Sequence, residues 1–203
     1  MKISDDERGG WSSDRPRRDG RERPADLTVH CSVLRPADRL RYSPGSLLIV
    51  SDASQPELDA FIERLIEERP AVLSLRRVRG LLAGRVPDDE LDERAAELLA
   101  ATVQKRLAAR QSVVLATEGF TAQEREPFLR MAAALRRPRH LILVETAREN
   151  VPEEDLPALN ELRRMLDAGE LGNEGIQTAL RLGGGSAAEV KRILFRPPPR
   201  EDD

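Results

Sequence analysis

The sequence predicts an α/β protein of three layers, a mainly parallel sheet with helices on both faces. Short continuous apolar runs such as Leu47-Leu48-Ile49-Val50 have the length of strands buried on both sides. Between such runs lie segments of ten or more residues whose apolar positions recur at helical spacing. Strand and helix alternate along most of the chain, as parallel strands joined by crossover helices require.

Residues 1–26 are dense in Arg, Asp, Gly, Ser and Pro, with Trp11 almost the only large apolar group. That composition cannot bury enough apolar surface to offset its ordering entropy, so a disordered charged tail is expected. Residues 27–34 alternate apolar and polar, the period of a strand with one buried face and Cys31 turned inward. Pro36 and the turn Ser43-Pro44-Gly45 separate it from the apolar run at 47–50. The next helix carries Leu58, Phe61, Ile62, Leu65 and Ile66 on one stripe, with Ser54 and Glu57 at capping-box spacing and Pro56 in its first turn. Pro70 ends it.

Residues 71–75 form a short strand leading into the basic helical turn Arg76-Arg77-Val78-Arg79-Gly80-Leu81-Leu82. A long helix over about 87–110 turns Leu91, Ala95, Leu98, Leu99, Val103 and Leu107 inward. Another buried strand covers 112–117. Thr121 and Glu124 make a second capping box, opening a helix with Phe128, Met131, Ala132 and Leu135 inward. Residues 140–145 are a further strand, and a helix over about 156–168 buries Leu159, Leu162 and Met165. Residues 179–182, a glycine turn at 183–185 and a last element at 189–195 complete the pattern before Pro197–Pro199. The α/β domain therefore spans 27–197, between the tail at 1–26 and a second disordered tail at 198–203.

The chain has 203 residues, 39% hydrophobic and 34% charged, which fits a soluble globular protein. Aromatics make up only 3%, so the core must be built from Leu, Ile, Val and Ala. Basic and acidic residues nearly cancel, 33 against 36, so no global field selects nucleic acid or an anionic membrane. Only Lys2, Lys105 and Lys191 are lysines, and the preference for Arg and Ala reads as the composition of a GC-rich bacterial-type genome. The single cysteine, Cys31, excludes an internal disulfide framework and any zinc spacing. No segment approaches the roughly 18 apolar residues of a membrane span. The charged N-terminus lacks an apolar signal region, so a cytoplasmic protein without membrane attachment is expected.

Residues 47–65 read as strand, tight connection and amphipathic helix, the frame of a phosphate-binding loop. Such a loop needs glycines to bring backbone N–H groups onto the anion, a lysine for the β/γ-phosphates and a Ser/Thr for magnesium. This stretch contains no glycine and no lysine, and Asp52, Glu57 and Asp59 cluster where the positive end of the helix would otherwise attract an anion. The strand ends at 51–54, 74–79, 116–119 and 145–150 form the edge of the sheet where ligands bind.

In order and spacing these edges resemble the small P-loop kinases of the polynucleotide-kinase-like group, relatives of zeta-toxin-like and gluconate-kinase-like proteins, over about residues 47–195. Aligned to that family's strand, GxxGxGKS/T loop and helix without a gap, Ser51 takes the first glycine, Glu57 the lysine and Leu58 the magnesium-binding hydroxyl. One residue later, the pair is Leu58 and Asp59. The resemblance implies a P-loop-NTPase-like fold with a vestigial nucleotide pocket at Asp52, Ser54, Glu57, Leu58 and Asp59. After the second strand, Ser74 and Arg79 match the family's Ser-Ser-Asp-x-x-Arg-like run, with Arg76 in place of the acid. After the third, Ala116-Thr117 and Thr121-x-x-Glu124 match, with Leu115 where the metal-side acid belongs. The family's arginine-bearing lid is nearly deleted, leaving Arg148 as its basic remnant, and Glu174-Gly175-Ile176 fits the family's tail.

Lysine, magnesium-side hydroxyl, candidate base, metal-side acid and lid are lost together. Phosphoryl transfer relies on the protein mainly for positioning and charge neutralisation, so their loss removes the catalysis. The expectation is a catalytically inactive P-loop-kinase-like protein with no catalytic residues, no metal and no cofactor. It would act as a binding, scaffold or regulatory subunit toward a protein partner or a second copy of itself. One alternative is a residual nucleotide-dependent phosphotransferase. The only other glycine-rich candidate, Gly183-Gly184-Gly185-Ser186, has Lys191 at the wrong distance for a phosphate loop.

The other alternative is a nucleic-acid-binding module. Arg76, Arg77, Arg79 and Arg148 are the candidate anion- or partner-binding residues, and Arg136, Arg137 and Arg139 form a second cluster read as a solvated helix end. Against it, the chain offers no aromatic platform for bases. Glu118 and Glu145 are a possible acid pair at strand ends, while His30 and His140 are read as strand-edge residues without a catalytic role.

Overall fold

The structure, a computed structural model, describes residues 27–117, 119–145 and 151–196. The first half contains β1 (Ser32–Val33), β2 (Arg39–Tyr42), β3 (Leu47–Ser51), α1 (Gln55–Leu65), β4 (Val72–Ser74), α2 (Leu75–Leu82) and α3 (Leu91–Ala108). The second contains β5 (Val113–Thr117), α4 (Ala122–Ala134), β6 (Arg139–Glu145), α5 (Leu156–Asp167), β7 (Thr178–Gly183), α6 (Gly185–Glu189) and β8 (Arg192–Phe195). Among these residues no helix is long and apolar enough to cross a membrane.

Six strands form one parallel sheet in the order β1-β7-β6-β3-β5-β4, and β2 pairs with β8 in a separate parallel two-stranded sheet. The central strand β3 is buried throughout, with Leu47 to Ser51 in register with Val113 to Thr117 on one side and Arg139 to Leu143 on the other. From β3 the chain winds outward to β4 and returns through β5. It then crosses to β6 and continues to β7. The winding reverses at β3, so the crevice lies beyond its carboxyl end.

Side chains alternate between two cores, the reason both faces of each inner strand must be apolar. Leu47, Ile49, Val113, Leu115, Leu141, Leu143 and Ala179 face α3, α4 and α5 through Leu99, Val103, Leu107, Leu129, Ala132, Leu159 and Leu162. Val78 of α2 joins the same core. Leu48, Val50, Val114, Ala116, Ile142, Val144, Leu180 and Leu182 face the other way. They meet Leu58, Phe61, Ile62 and Leu65 of α1 and Leu40, Tyr42 and Ile193 of the small sheet. One face thus carries α2 to α5. The other carries a single long helix, the small sheet and the short α6.

Several sequence expectations are corrected. Of the strand expected at 27–34, only Ser32–Val33 pairs, and both residues are exposed. The preceding segment lies instead against the 3-10 turn Glu170–Glu174, where the Val29 N–H donates to the Gly172 carbonyl at 2.9 Å. A Cβ on Gly172 would lie 2.1 Å from the Val29 oxygen, so glycine is required there. Cys31 is buried as expected. The strand β2 was not anticipated: Leu40 and Tyr42 face inward between exposed arginines. Leu98 is 43% exposed, because the inner stripe of α3 runs through Ala95, Leu99, Val103 and Leu107. Leu166, rather than Met165, is the fully inward residue at the end of α5. The glycines at 183–185 end β7 and open α6, where the Ser186 hydroxyl bonds both the amide and the carbonyl of Gly183 at 2.9 Å.

Candidate functional site

The crevice is built by the carboxyl ends of β3, β4, β5 and β6. At its centre the Ser51 and Thr117 hydroxyls meet at 2.6 Å across neighbouring strands, both residues buried. The next residue, Asp52, is 1% exposed. Its Oδ1 accepts the Ser54 N–H at 3.0 Å, and Oδ2 is buried with no hydrogen-bond partner. Burial pushes its carboxyl up to about 6 and the nearby Glu57 charge adds to the rise, while bonds from the Ser54 and Ala53 N–H groups oppose it. A phosphate bound in this connection would need N–H groups that lead into α1. Here those of Ala53 and Ser54 are already turned onto a carboxyl of the chain.

Ser54 caps α1 through its hydroxyl, which accepts the Glu57 N–H at 3.4 Å, and Glu57 is exposed. At Thr121 and Glu124, by contrast, both halves of the capping box form. Leu58, the residue aligned with the magnesium-binding hydroxyl, is fully buried in the core under α1. Asp59 leaves the helix on another side and pairs with Arg76. The five residues of the expected nucleotide pocket therefore do not line one cavity. Asp52, Ser54 and Glu57 gather at the helix start, Leu58 packs beneath it and Asp59 belongs to its flank.

The strand-edge arginines also divide. Ser74 caps α2 by accepting the Arg77 N–H at 3.2 Å, which sets Arg76 and Arg77 on the first turn. Arg77 Nη1 donates to the Val72 carbonyl at 3.3 Å. Arg79, one turn on, donates from Nε to Asp92 Oδ1 at 2.7 Å and faces α3. Arg148 and Glu118 lie outside the described residues. Glu145 is clamped by Arg163 Nε at 2.5 Å and Arg181 Nε at 3.0 Å. The second arginine cluster is not one solvated face: Arg137 Nε donates to the Leu107 carbonyl at 2.9 Å, and Arg139 is buried with Nε on the Gly175 carbonyl at 2.6 Å.

Two grooves that no motif announced flank α1. One, of about 910 Å³, runs along Glu57, Ala60, Phe61 and Arg64 toward Val144 and Gly184. The other, of about 520 Å³, runs along Asp59, Ile62 and Glu63 toward Val72, Ser74, Arg76 and Arg77. Helix periodicity assigns positions 57, 60, 61 and 64 to one flank and 59, 62 and 63 to the other, but not the open space beside them. Among the described residues no three His, Cys, Asp or Glu side chains converge as a metal site. No protein-family model matches the chain, and neither does any curated protein.

Proposed function

We propose that this chain is a P-loop-kinase-like domain without phosphoryl-transfer activity, which acts by binding as a scaffold or regulatory subunit. The observation that carries the reading is the state of the β3–α1 connection. The residue aligned with the magnesium hydroxyl, Leu58, is a core side chain, and the N–H groups of Ala53 and Ser54 in the connection are turned onto the buried Asp52 carboxyl. A triphosphate would have to displace a buried carboxylate and approach the exposed Glu57. Of the lysines, Lys105 stands in the last turn of α3, and Lys191 Nζ donates to the Ala188 carbonyl at 2.8 Å. Neither lines the crevice. No lysine therefore stands at the described edge to take the place of the phosphate-loop lysine.

On this reading the protein is cytoplasmic, needs no cofactor and meets another protein or a second copy of itself. Nucleic acid is the weaker reading, because Arg79 pairs with Asp92 facing α3, Arg139 is buried, and the described crevice edge offers no aromatic platform for bases. Thermal unfolding with millimolar ATP or GTP, with and without magnesium, tests the proposal. Ligand at about 100 times its Kd would add roughly 2.7 kcal/mol, a readily measured rise in Tm. No rise is expected, and a magnesium-dependent rise overturns the reading.

A further inference from the structure

We propose that the groove between α1 and α2 binds a phosphate monoester, gripped by Arg76 and Arg77 above an apolar floor of Ile62, Val72 and Ala116. The groove encloses about 520 Å³, room for a small organic phosphate. Three guanidinium groups, Arg69, Arg76 and Arg77, line it against two carboxylates, Asp59 and Glu63. The existing ion pairs are exchangeable. Arg76 and Asp59 are both about half exposed, and Arg69 stands 3.9 Å from Glu63 with both side chains exposed. Exposed pairs of this kind contribute little, less than a dianion held by two forks.

Arg77 has no carboxylate partner among the described residues, and its one side-chain bond is the 3.3 Å contact to the Val72 carbonyl. Planar guanidinium groups match phosphate oxygens two at a time. Ser74, on the groove wall, begins α2, whose first turn carries no acid, so the positive end of that helix is unopposed. The start of α1 is the reverse, with Asp52 and Glu57. An anion is thus repelled from the crevice centre and drawn to its flank. The floor residues are nearly fully buried yet reach the groove, which favours an organic group attached to the phosphate over the bare ion. No aromatic side chain lines the groove, so a stacked nucleic-acid strand is not the ligand.

The proposal goes beyond the loss of catalysis and does not depend on it. The test is a titration of the full chain with phenyl phosphate, inorganic phosphate and benzoate in EDTA, followed by amide NMR. Phenyl phosphate is expected to bind tightest, shifting Ile62 and residues 74–77. Arg76→Ala and Arg77→Ala should each weaken it by about tenfold or more, the loss of one charge-assisted hydrogen bond. Arg192→Ala, on the outer surface beside Glu67, should leave the affinity unchanged. Absence of saturable shifts at tens of millimolar overturns the proposal. So do shifts centred on residues 52–57, equal binding of benzoate, or full binding by both arginine variants. A magnesium-dependent ATP signal would sink the inactive-kinase reading alone, since these titrations contain no magnesium.

Discussion

On one side of the parallel sheet, α2 to α5 close the core, and its buried ion pair is fully hydrogen-bonded. The Arg125 guanidinium holds both oxygens of Glu174 at 2.8 and 2.9 Å and the Phe120 carbonyl at 2.5 Å. On the other side α1 stands with only a two-stranded sheet and a five-residue helix beside it, and grooves open along both its flanks. Among the described residues, the buried side-chain polar atoms without partners are Tyr42 Oη and His140 Nε2, on this sparse side, and Asp52 Oδ2, just before its helix. On the first face every buried side-chain polar atom among the described residues has a partner, and the cavities beside α3, α4 and α5 are the smaller ones, about 300–360 Å³. The second face leaves such atoms unpaired and carries the larger grooves.

The comparison breaks most readily at the ion pair. Arg125→Ala strands Glu174 in the interior and should lower stability by about 3–5 kcal/mol, measured by urea unfolding. If the loss is below 1 kcal/mol, the crowded face is not the better-satisfied one. Filling tests come next. Ala132→Leu enlarges a fully buried side chain on the crowded face and should destabilise by about 1–3 kcal/mol. Ala60→Leu points into the larger groove and should change stability by less than about 0.5 kcal/mol.

Acid sharpens the contrast through His140. Burial, with a smaller contribution from the Arg139 charge, lowers its imidazole to about 4, while Nδ1 shares a 2.8 Å bond with Thr178. The folded state therefore binds the proton less well than the unfolded chain, and stability falls as pH drops from about 6.5 toward 4, by on the order of 2 kcal/mol at pH 5. His140→Gln should flatten that slope in pH-dependent unfolding. Asp52 acts in the opposite sense. Its raised carboxyl favours folding while protonated, and that contribution is lost as pH rises through about 6. Asp52→Asn should add about 1–2 kcal/mol at pH 7 and nothing at pH 4. An equal gain at both pH values would mean the carboxylate is not the strained group.

Much of this architecture was legible. The apolar run at 47–50 and the stripe Leu58-Phe61-Ile62-Leu65 dictate a buried strand and an inward helix face, and both form. The same stripe already made Leu58 a core residue, whatever family position it aligned with. The small sheet was hidden because β2 offers only Leu40 and Tyr42 inward and its partner is β8, near the other end of the domain. Arg139 read as a helix-end cation because Arg136 and Arg137 lie just before it, yet its register opposite Leu47 buries it. The Arg125–Glu174 pair joins residues 49 apart, beyond any local pattern. In the candidate site, the acid-rich helix start was readable from residue types. The grooves depend on what does not pack beside α1, which no spacing encodes.

The pairing of Ser32 with Thr178 and of Arg39 with Arg192 has a bearing on biosynthesis. A ribosome delivers β1 and β2 long before β7 and β8. Strands 3 to 6 are able to assemble as the chain emerges, but residues 27–42 must wait uncommitted until the last strands arrive. Closing such distant contacts is the slow part of folding. The newborn protein therefore spends its longest interval with the α1 side of the sheet uncovered, and that half-made surface is where a chaperone would meet it.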